Sequence, residues 1–578
     1  MSTIPRMKPV AAAVVLACAS HPAQAFETIE FGNGASLETR INVNYTLSGR
    51  MEDIDPLLGA AAGSNDGNNN FDKNAITSNR LALLLDVKLS KPLSGGGELG
   101  FVTSGSYFYD DAYQKENDND PGNGLPGAGF NPNGVNKPPP FDEFTNGAER
   151  YHGGYGRLLD TYVYGVFDLG SSRLSTRVGR QVVNWGEALF FPSMGLAQGP
   201  ADGTKTGIPG TETKDQLLPE DQISLSWEVG DWTLLGHWQF QFQETIAPSP
   251  GSYLNTSDAV GPGGKCLTAW VSVAPIPIVG FPGYEGCSFG NRGDDIEPSE
   301  TGQWGIGTRY RINSATEVGL YYLNYSDRTP LPEINAFTPG PFAASPVAGL
   351  RPLGSGSYQI RYFEDVKLIG GTLSTSLGVL TLSGEVSFKE DAPVLVNTVI
   401  SPATGATIPN PTKGEIAQIN LGTLANLGRT RIAPQTLLLG EVSYVNIGNV
   451  EARKAPGVEN LPPAFQAFFP ASRVRSFDTD SAAAIAATGA FGYPNLFEGW
   501  DLNLALAYSH QLSGRTITGG VGGEGDHRYS VGFTFTRLSN LQLGLTWLGF
   551  LGDADLSLKE FKALTDRDQL SFTAKYSF

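Results

Sequence analysis

Alternation of apolar and polar residues with a period of two recurs along most of this chain. From Leu37 to Leu47, the odd positions carry Leu, Thr, Ile, Val, Tyr and Leu, and the even positions carry Glu, Arg, Asn, Asn and Thr. The pattern returns at 80–89, 232–242, 304–312, 500–512, 529–535 and 541–547. Each segment predicts a strand with one apolar and one polar face. One such strand fits a soluble sandwich equally well, but many strands of roughly ten residues favour a transmembrane antiparallel β-barrel.

Composition excludes the main competing fold classes. No apolar run approaches the roughly 18 to 20 residues that a membrane-spanning helix needs. The chain has 72 glycines and 38 prolines but only 17% charged residues, which is typical of many turns and not of a helical bundle. Aromatic residues make up 10% of the chain, more than a disordered chain carries. The sequence therefore predicts an all-β protein.

The first 25 residues have the parts of a secretory signal peptide. Arg6 and Lys8 precede an apolar stretch at 9–19, and Ala23-Gln24-Ala25 fits a cleavage site. Acylation of Cys18 is an alternative, but the preceding leucine lies one position away from the usual pattern. We therefore predict a signal peptide at 1–25 and a barrel at 26–578. The net charge of −18 argues against nucleic acid as a partner.

The last residues indicate the membrane. Leu570, Phe572, Ala574, Tyr576 and Phe578 form one apolar face that ends on phenylalanine. This resembles the C-terminal signal that the barrel-assembly machinery of Gram-negative outer membranes reads, with Tyr576 and Phe578 as its main residues. The expected surroundings are outer-membrane lipid and lipopolysaccharide. In lipid the barrel must close, because an open edge would leave backbone groups unpaired.

Strand and connection lengths predict 14 to 16 strands, although the interval 389–433 is hard to place. Short turns at 90–97, 170–172, 230–231 and 313–316 would face the periplasm. Long connections at 51–78, 110–157, 186–220, 244–301, 327–355 and 448–498 would face outward. Only residues 26–36 would precede the first strand, so any plug of the lumen is expected from the outer loops. Segment 448–498 is a candidate, with apolar residues and an alanine-rich patch at 482–487 that favours helix.

Cysteine and histidine usage predicts a structural bridge and no catalytic site. Cys266 and Cys287 are an even pair in an exported chain, which indicates a disulfide. Asp66 begins a segment like a calcium loop, but Phe71 and Thr77 occupy positions that the motif cannot use. The histidines form no arrangement that suggests catalysis. We expect no enzyme activity, no metal and no cofactor.

Arginines on strand faces are the candidate lumen residues. Arg80 lies on the polar face of its strand, and Arg173 and Arg177 share a polar face at 173–183. Arg180 falls on the apolar face, which predicts a bulge or a rim position. Inward arginines opposite carboxylates such as Glu38 and Asp86 would either set an electric field across a pore or pair internally and brace the barrel.

Several segments resemble one proteobacterial family, the domain-of-unknown-function 1302 family. They are Asn70-Phe71-Asp72-Lys73, Ser78-Asn79-Arg80-Leu81, 159–164, 177–187, Gly384-Glu385 and Asp391-Ala392-Pro393. The stretch at 177–187, which ends in Trp185-Gly186-Glu187, is the most specific. Thr213-Lys214-Asp215 departs from the family pattern, which has Lys-Glu there.

The resemblance implies outer-membrane proteins without catalytic residues. Members are often associated with a periplasmic lipoprotein-like partner and an inner-membrane transporter of the resistance–nodulation–division type. Such a set suggests movement of fatty acids, alkanes or steroids. Trp185 and Glu187 would form either a structural corner at a strand end or part of a gate. Glu187 could pair with Arg177 or Arg180.

The resulting hypothesis is an outer-membrane channel for hydrophobic or amphipathic small molecules, gated by its own loops. A general polar-solute porin would fit the lumen charges but not the apolar loops. An export component that works with an inner-membrane transporter fits equally well, because sequence does not give the direction of transport. A surface adhesin would cause attachment defects without permeability defects, and an outer-membrane enzyme would need an exposed nucleophile close to a base.

Overall fold

The computed structural model describes residues 28–119 and 134–578. Within these residues, eighteen strands form one closed antiparallel sheet in which each strand pairs with its chain neighbours and the last pairs with the first. The predicted signal peptide lies outside the described residues. The strands are β1 (Ser36–Arg50), β2 (Ile76–Pro92), β3 (Gly97–Asp110), β4 (Gly154–Leu169), β5 (Ser172–Gln181), β6 (Glu220–Val229), β7 (Trp232–Gln239), β8 (Trp304–Asn313), β9 (Thr316–Asn335), β10 (Ser355–Leu377), β11 (Leu380–Ser401), β12 (Ala406–Gly428), β13 (Gln435–Val450), β14 (Ser481–Phe497), β15 (Trp500–Ser513), β16 (His527–Arg537), β17 (Leu541–Leu551) and β18 (Gln569–Ser577).

The predicted transmembrane barrel is confirmed, but the predicted count of 14 to 16 strands is wrong. The interval 389–433 contains most of β11 and β12, which are 22 and 23 residues long. Prolines such as Pro393 and Pro409 interrupt the alternation of apolar and polar residues in these two strands. The strands tolerate them because a register shift lies next to Pro393 and both prolines lie in the long hairpin that β11 and β12 form. The alanine patch at 482–487 is part of β14 and is not helical, since pairing with both neighbours overrides the helix propensity of alanine.

Alternation places apolar side chains outside the barrel and polar ones inside. On β2, Leu81, Leu83 and Leu85 are 37%, 41% and 38% exposed, whereas Arg80 between β1 and β3 is 3% exposed. Exposed leucines, valines and aromatic residues recur in this way around the sheet. In a bilayer this surface contacts hydrocarbon, which is why it need not be covered by protein.

Long and short connections lie at opposite ends of the barrel. The short turns at 93–96, 170–171, 230–231 and 314–315 match the predicted periplasmic turns. Segments 327–355 and 448–498 are only partly loop, because the first includes the end of β9 and the first residue of β10, and the second includes the end of β13 and all of β14. The connection predicted to face outward at 186–220 instead turns into the lumen, for reasons given below.

The chain end closes the barrel. β18 pairs with β1 from Asn42 opposite Ser577 to Arg50 opposite Gln569. The backbone N–H of Phe578 donates to the carbonyl of Ile41 at 2.9 Å, and the rings of Tyr576 and Phe578 lie 4.7 Å apart. The last strand and the residue after it thus carry the predicted assembly signal, whose recognition by an assembly machinery stays a prediction.

The predicted disulfide is present in the outer loops. Cys266 and Cys287 are bonded, and the bond closes a small hairpin of Trp270–Val273 and Tyr284–Cys287. A further strand, Phe289–Arg292, runs parallel to the start of β10 and ties this loop to the barrel wall. The apolar residues of the loop are therefore held at the rim by both covalent and backbone contacts.

Two buried arginines join two further outer loops to the loop that contains the disulfide. Arg50, at the end of β1, donates to the carbonyls of Asn68 and Phe71 at 2.8 and 2.7 Å and forms an ion pair with Asp566 at 2.9 Å. Arg567 donates to the side chain of Asn68 at 3.0 Å and to the carbonyl of Tyr253. We call Arg50, Asn68, Asp566 and Arg567 the outer knot, which joins these loops to the barrel end.

A pair of buried carboxyl groups lies beside the outer knot. The backbone N–H of Asp66 donates to the side chain of Asp258 at 3.1 Å, and both residues are almost fully buried. Burial raises the pKa of Asp258 to about 6, and burial together with the charge of Asp258 raises the pKa of Asp66.

The described helices are single turns in the connections. They are Pro56–Gly59, Asp66–Asn69, Asp111–Gln114, Asn146–Ala148, Glu149–Gly153, Met194–Gln198, Gly203–Lys205, Thr213–Gln216, Pro277–Val279, Ala348–Leu350, Val458–Asn460 and Pro463–Gln466, and a short strand at Ile29–Glu30 precedes β1. Over 28–119 and 134–578, no helix is long and apolar enough to cross a membrane.

Candidate functional site

The connection between β5 and β6 crosses the lumen. We call residues 182–219 the plug segment. Its ends are fixed by the two strands, and its middle contacts the inner faces of strands on both sides of the barrel. These contacts fall into four groups, which together determine how much of the lumen stays open.

Two wall carboxylates bind the first part of the plug segment through its backbone. Glu385 on β11 accepts hydrogen bonds from the N–H groups of Glu187, Ala188 and Met194 at 2.9, 3.3 and 3.1 Å. Glu441 on β13 accepts from Leu189, Phe190 and Phe191 at 2.6, 3.2 and 3.0 Å. Six N–H groups that have no strand partner are therefore satisfied by two side chains.

The turn is shaped for this approach. Gly186 lies against Glu385, and a Cβ at this position would lie 2.6 Å from its Oε2. The carbonyl of Phe191 accepts from the amides of Gln418 and Asn420 on β12 at 2.8 and 3.0 Å. Absence of a side chain at Gly186 is thus what lets the carboxylate reach the backbone.

Ion pairs hold the last part of the plug segment on the opposite wall. Asp215 pairs with Arg157 on β4 at 2.9 Å and with Arg80 on β2 at 3.7 Å. Lys214 pairs with Asp86 and Asp160 at 2.5 and 3.1 Å. Glu212 pairs with Lys575 on β18. The plug segment consequently spans from β11–β13 to β18 and β1–β4.

A buried arginine holds the centre of the plug segment. Arg328 on β9 forms a two-pronged pair with Glu220, at 3.1 and 2.8 Å, and both side chains are almost fully buried. The same guanidinium donates to the carbonyl of Ala197 in the plug segment at 3.0 Å. A two-pronged arginine–carboxylate pair fixes orientation as well as charge.

Apolar contacts complete the docking. Trp185 is 6% exposed and stacks on Tyr321 of β9, with ring centroids 5.7 Å apart. Its ring edge also meets His237 at 4.9 Å. Met194 is fully buried against β10, where a Cβ at Gly370 would collide with its sulfur. This half of the lumen is filled like a protein core.

Beside the plug segment lies an open and mainly apolar space. A cavity of about 460 Å³ lies between the plug segment and the inner faces of β14–β17. Small residues on the wall leave this space, and Phe190 borders it from the plug side. Its lining includes Phe190, Gly207, Leu254, Ala486, Thr488, Ala507, Ser509, Arg528, Ser530, Leu548, Phe550 and Leu564. We call this space the passage cavity.

The structure places the predicted lumen arginines in different environments. Arg80 is buried inside the barrel, 3.9 Å from the Phe108 ring centroid, and contacts the plug segment through Asp215. Arg177 lies 5.4 Å from the Tyr162 ring, and Arg173 is exposed at the short-turn end, 3.7 Å from Asp168. A role of these three residues in a gate stays a prediction.

Arg180 and Glu187 do not form the ion pair that the sequence suggested. Arg180 faces outward near the end of β5 and pairs with Asp221 at 3.1 Å, so it holds a rim position without a bulge. Among the described residues, Glu187 forms no ion pair with Arg177 or Arg180, because its turn is directed to β11 by Glu385. Trp185 and Glu187, which belong to the plug segment, thus contact the wall of the lumen and not the arginines of β5.

Sequence reasoning missed most of the residues that dock the plug segment. Glu441 and Arg328 had no local signal, since each is a single charge within a strand. Glu385 was noticed only as part of the Gly384-Glu385 segment. The segments that carried the family resemblance do meet here: the N–H of Glu187 donates to Glu385, Asp215 pairs with Arg80, and Lys214 pairs with Asp160.

A closed 18-stranded barrel with an apolar outer face and a lumen crossed by its own chain is an outer-membrane β-barrel of porin-like architecture. The chain belongs to the family described as "Protein of unknown function (DUF1302)", whose model matches residues 6–578. The predicted family is thereby confirmed.

The chain is also similar to solved structures of low sequence identity. Acinetobacter baumannii OccAB4 is 10% identical with a TM-score of 0.40, over 96% of this chain and 99% of that chain. A BenF-like porin from Pseudomonas fluorescens Pf-5 is 10% identical with a TM-score of 0.40, over 94% and 98%. Pseudomonas aeruginosa OpdK with vanillate is 11% identical with a TM-score of 0.38, over 94% and 98%. Among proteins of curated function, the comparison found no relative that matches this chain.

Proposed function

We propose that the protein is a passive channel of the Gram-negative outer membrane for hydrophobic or amphipathic small molecules. The observation that carries this proposal is the passage cavity, the space that the plug segment leaves against the inner faces of β14–β17. Its volume of about 460 Å³ lies within the range of small-molecule sites, and most of its lining side chains are apolar. Fatty-acid-like, alkane-like and steroid-like solutes fit this chemistry.

The docking of the plug segment argues against a wide polar pore. Charged side chains in the lumen are largely paired with one another, as in Arg328 with Glu220 and Arg157 with Asp215. Paired charges brace the plug segment and leave less field for selecting ions. The plug segment, held by non-covalent contacts, is the part of the chain that we assign to gating.

The direction of transport defines a second candidate. An export role with a periplasmic lipoprotein-like partner and an inner-membrane transporter uses the same cavity, because a passive channel conducts both ways. This role predicts transport in cells only when those partners are present, whereas the channel alone transports in purified vesicles.

The test compares two signals in one preparation of vesicles whose outer leaflet is lipopolysaccharide. We expect the wild type to take up a labelled steroid with little steady ion conductance. Ala507→Trp places an indole in the passage cavity and should lower steroid uptake about tenfold. Ala483→Trp is the matched control, since Ala483 pairs with exposed Tyr444 on the lipid face and should leave uptake unchanged.

Two results would contradict the proposed function. Large steady conductance without steroid uptake would indicate a general polar-solute porin. Equal uptake by wild type and Ala507→Trp would show that solute does not pass through the passage cavity.

A further inference from the structure

A second cavity lies next to the passage cavity, in the outer loops. It has a volume of about 230 Å³ and is bordered by loop 514–526 and by part of loop 552–568. Most of its exposed lining surface is polar, and its polar residues are Thr256, Arg515, Thr516, Asp526 and Arg528. Arg528 and Leu564 line both cavities, so the polar space continues into the apolar one. We call it the outer cavity.

Arg515 is held in this cavity by two aromatic rings. Its guanidinium carbon lies 4.5 Å from the ring centroid of Phe477 and 4.6 Å from that of Phe561. One terminal nitrogen donates to the carbonyl of Leu558 at 2.7 Å. Ring contacts of this kind orient a guanidinium without neutralising its charge.

Arg515 forms no ion pair with any described residue, although the charge of Asp526 acts on it from a distance. In 28–119 and 134–578, no carboxylate lies within ion-pairing distance of it. Asp526 is the nearby acid, but it pairs with Arg528 at 2.7 Å. Glu524 pairs with Lys559 at 3.0 Å and accepts from the N–H of Gly514. Burial lowers the pKa of Arg515 to about 10, so the group is still a cation at neutral pH.

We propose that Arg515 binds the anionic headgroup of an amphiphile, a carboxylate or sulfonate, whose apolar body lies in the passage cavity. This inference rests on the proposed function and specifies that its amphipathic substrates are anions. The arrangement favours anions over neutral alkanes, because an anion would give Arg515 the ion-pair partner that Asp526, paired with Arg528, does not provide. Planar donors on a guanidinium match the two oxygens of a carboxylate.

Binding is tested directly, and therefore separately from transport. Protein in lipid nanodiscs is titrated with labelled 1-dodecanesulfonate, which stays ionised, and with labelled 1-dodecanol, which has the same chain and no charge. We expect saturable sulfonate binding by the wild type. Arg515→Gln should raise the Kd for sulfonate about tenfold and leave the Kd for dodecanol unchanged, because it removes one charged contact. Arg515→Lys should restore part of the affinity.

The outcomes separate the two proposals. An unchanged sulfonate Kd in Arg515→Gln, or no saturable binding by the wild type, overturns the headgroup site. Displacement of the sulfonate by lipopolysaccharide but not by laurate would assign the site to a phosphate headgroup of lipopolysaccharide and also overturn it. Saturable binding without steroid uptake in vesicles would instead overturn the proposed function.

Discussion

Replacing both Glu385 and Glu441 by alanine is expected to release the plug segment and raise ion conductance by roughly five- to tenfold, toward that of an unplugged wide barrel. Each carboxylate accepts three backbone N–H groups, so its loss leaves three donors without their partner. Each buried N–H group that is left without an acceptor costs about 1–3 kcal/mol. The free-energy cost of losing both carboxylates is therefore larger than the stabilisation that the remaining contacts of residues 185–194 provide.

The measurement is single-channel conductance in planar bilayers. Either single alanine variant should give intermediate, fluctuating currents, because one clamp remains. Glu228→Ala is the matched control, since Glu228 faces the lumen near the short-turn end and should not contact the plug segment. A folded double variant, shown by its heat-modifiable migration, with wild-type conductance would refute the assignment of the plug segment to gating.

Arg50→Met should lower the free energy needed to open the outer loops by about 3–5 kcal/mol. Arg50 is fully buried, pairs with Asp566 and donates to the carbonyls of Asn68 and Phe71. Methionine fills similar space but donates no hydrogen bond, so the two carbonyls lose this donor and Asp566 keeps only the N–H of Asp55 and the more distant Arg567. The strand pairing of the barrel is untouched, and the effect should therefore be confined to the loop end.

Native-state proteolysis measures this loosening. Cleavage in 51–75 and 552–568 should become faster by about two orders of magnitude, as a cost of about 3 kcal/mol implies when cleavage follows the open population. Arg311→Met is the control, because Arg311 is exposed beside a short turn. Wild-type cleavage rates in Arg50→Met would contradict the outer knot as the element that joins these loops.

The sequence predicted the features that depend on local pattern. Alternation identified β1, β2, β7, β8 and β15–β18, because lipid outside and polar groups inside impose a period of two on these strands. The cysteine pair predicted the bridge, since Cys266 and Cys287 are the two cysteines beyond the predicted signal peptide. Where prolines or alanines interrupt the pattern, in β11, β12 and β14, the prediction failed.

The plug segment could not be predicted, because its position depends on pairs that are distant in the chain. Leu189 and Glu441 are joined by one hydrogen bond and are separated by 252 residues. No local property distinguishes Glu441 from the remaining strand glutamates. Trp185-Gly186-Glu187 was noticed as a specific segment, but its direction into the lumen follows from the position of Glu385 across the barrel.

Blocking the passage cavity from within tests the central claim most directly. Ser530→Cys introduces a thiol into its wall, while Cys266 and Cys287 are bonded and Cys18 lies in the predicted signal peptide. Steroid uptake is measured before and after the thiol is modified with a bulky maleimide, and Ser226→Cys on β6, outside the cavity, is the control. We expect modification to lower uptake about tenfold in Ser530→Cys only, because the adduct fills the space between the plug segment and β14–β17. Complete modification with unchanged uptake would contradict a passage through this cavity.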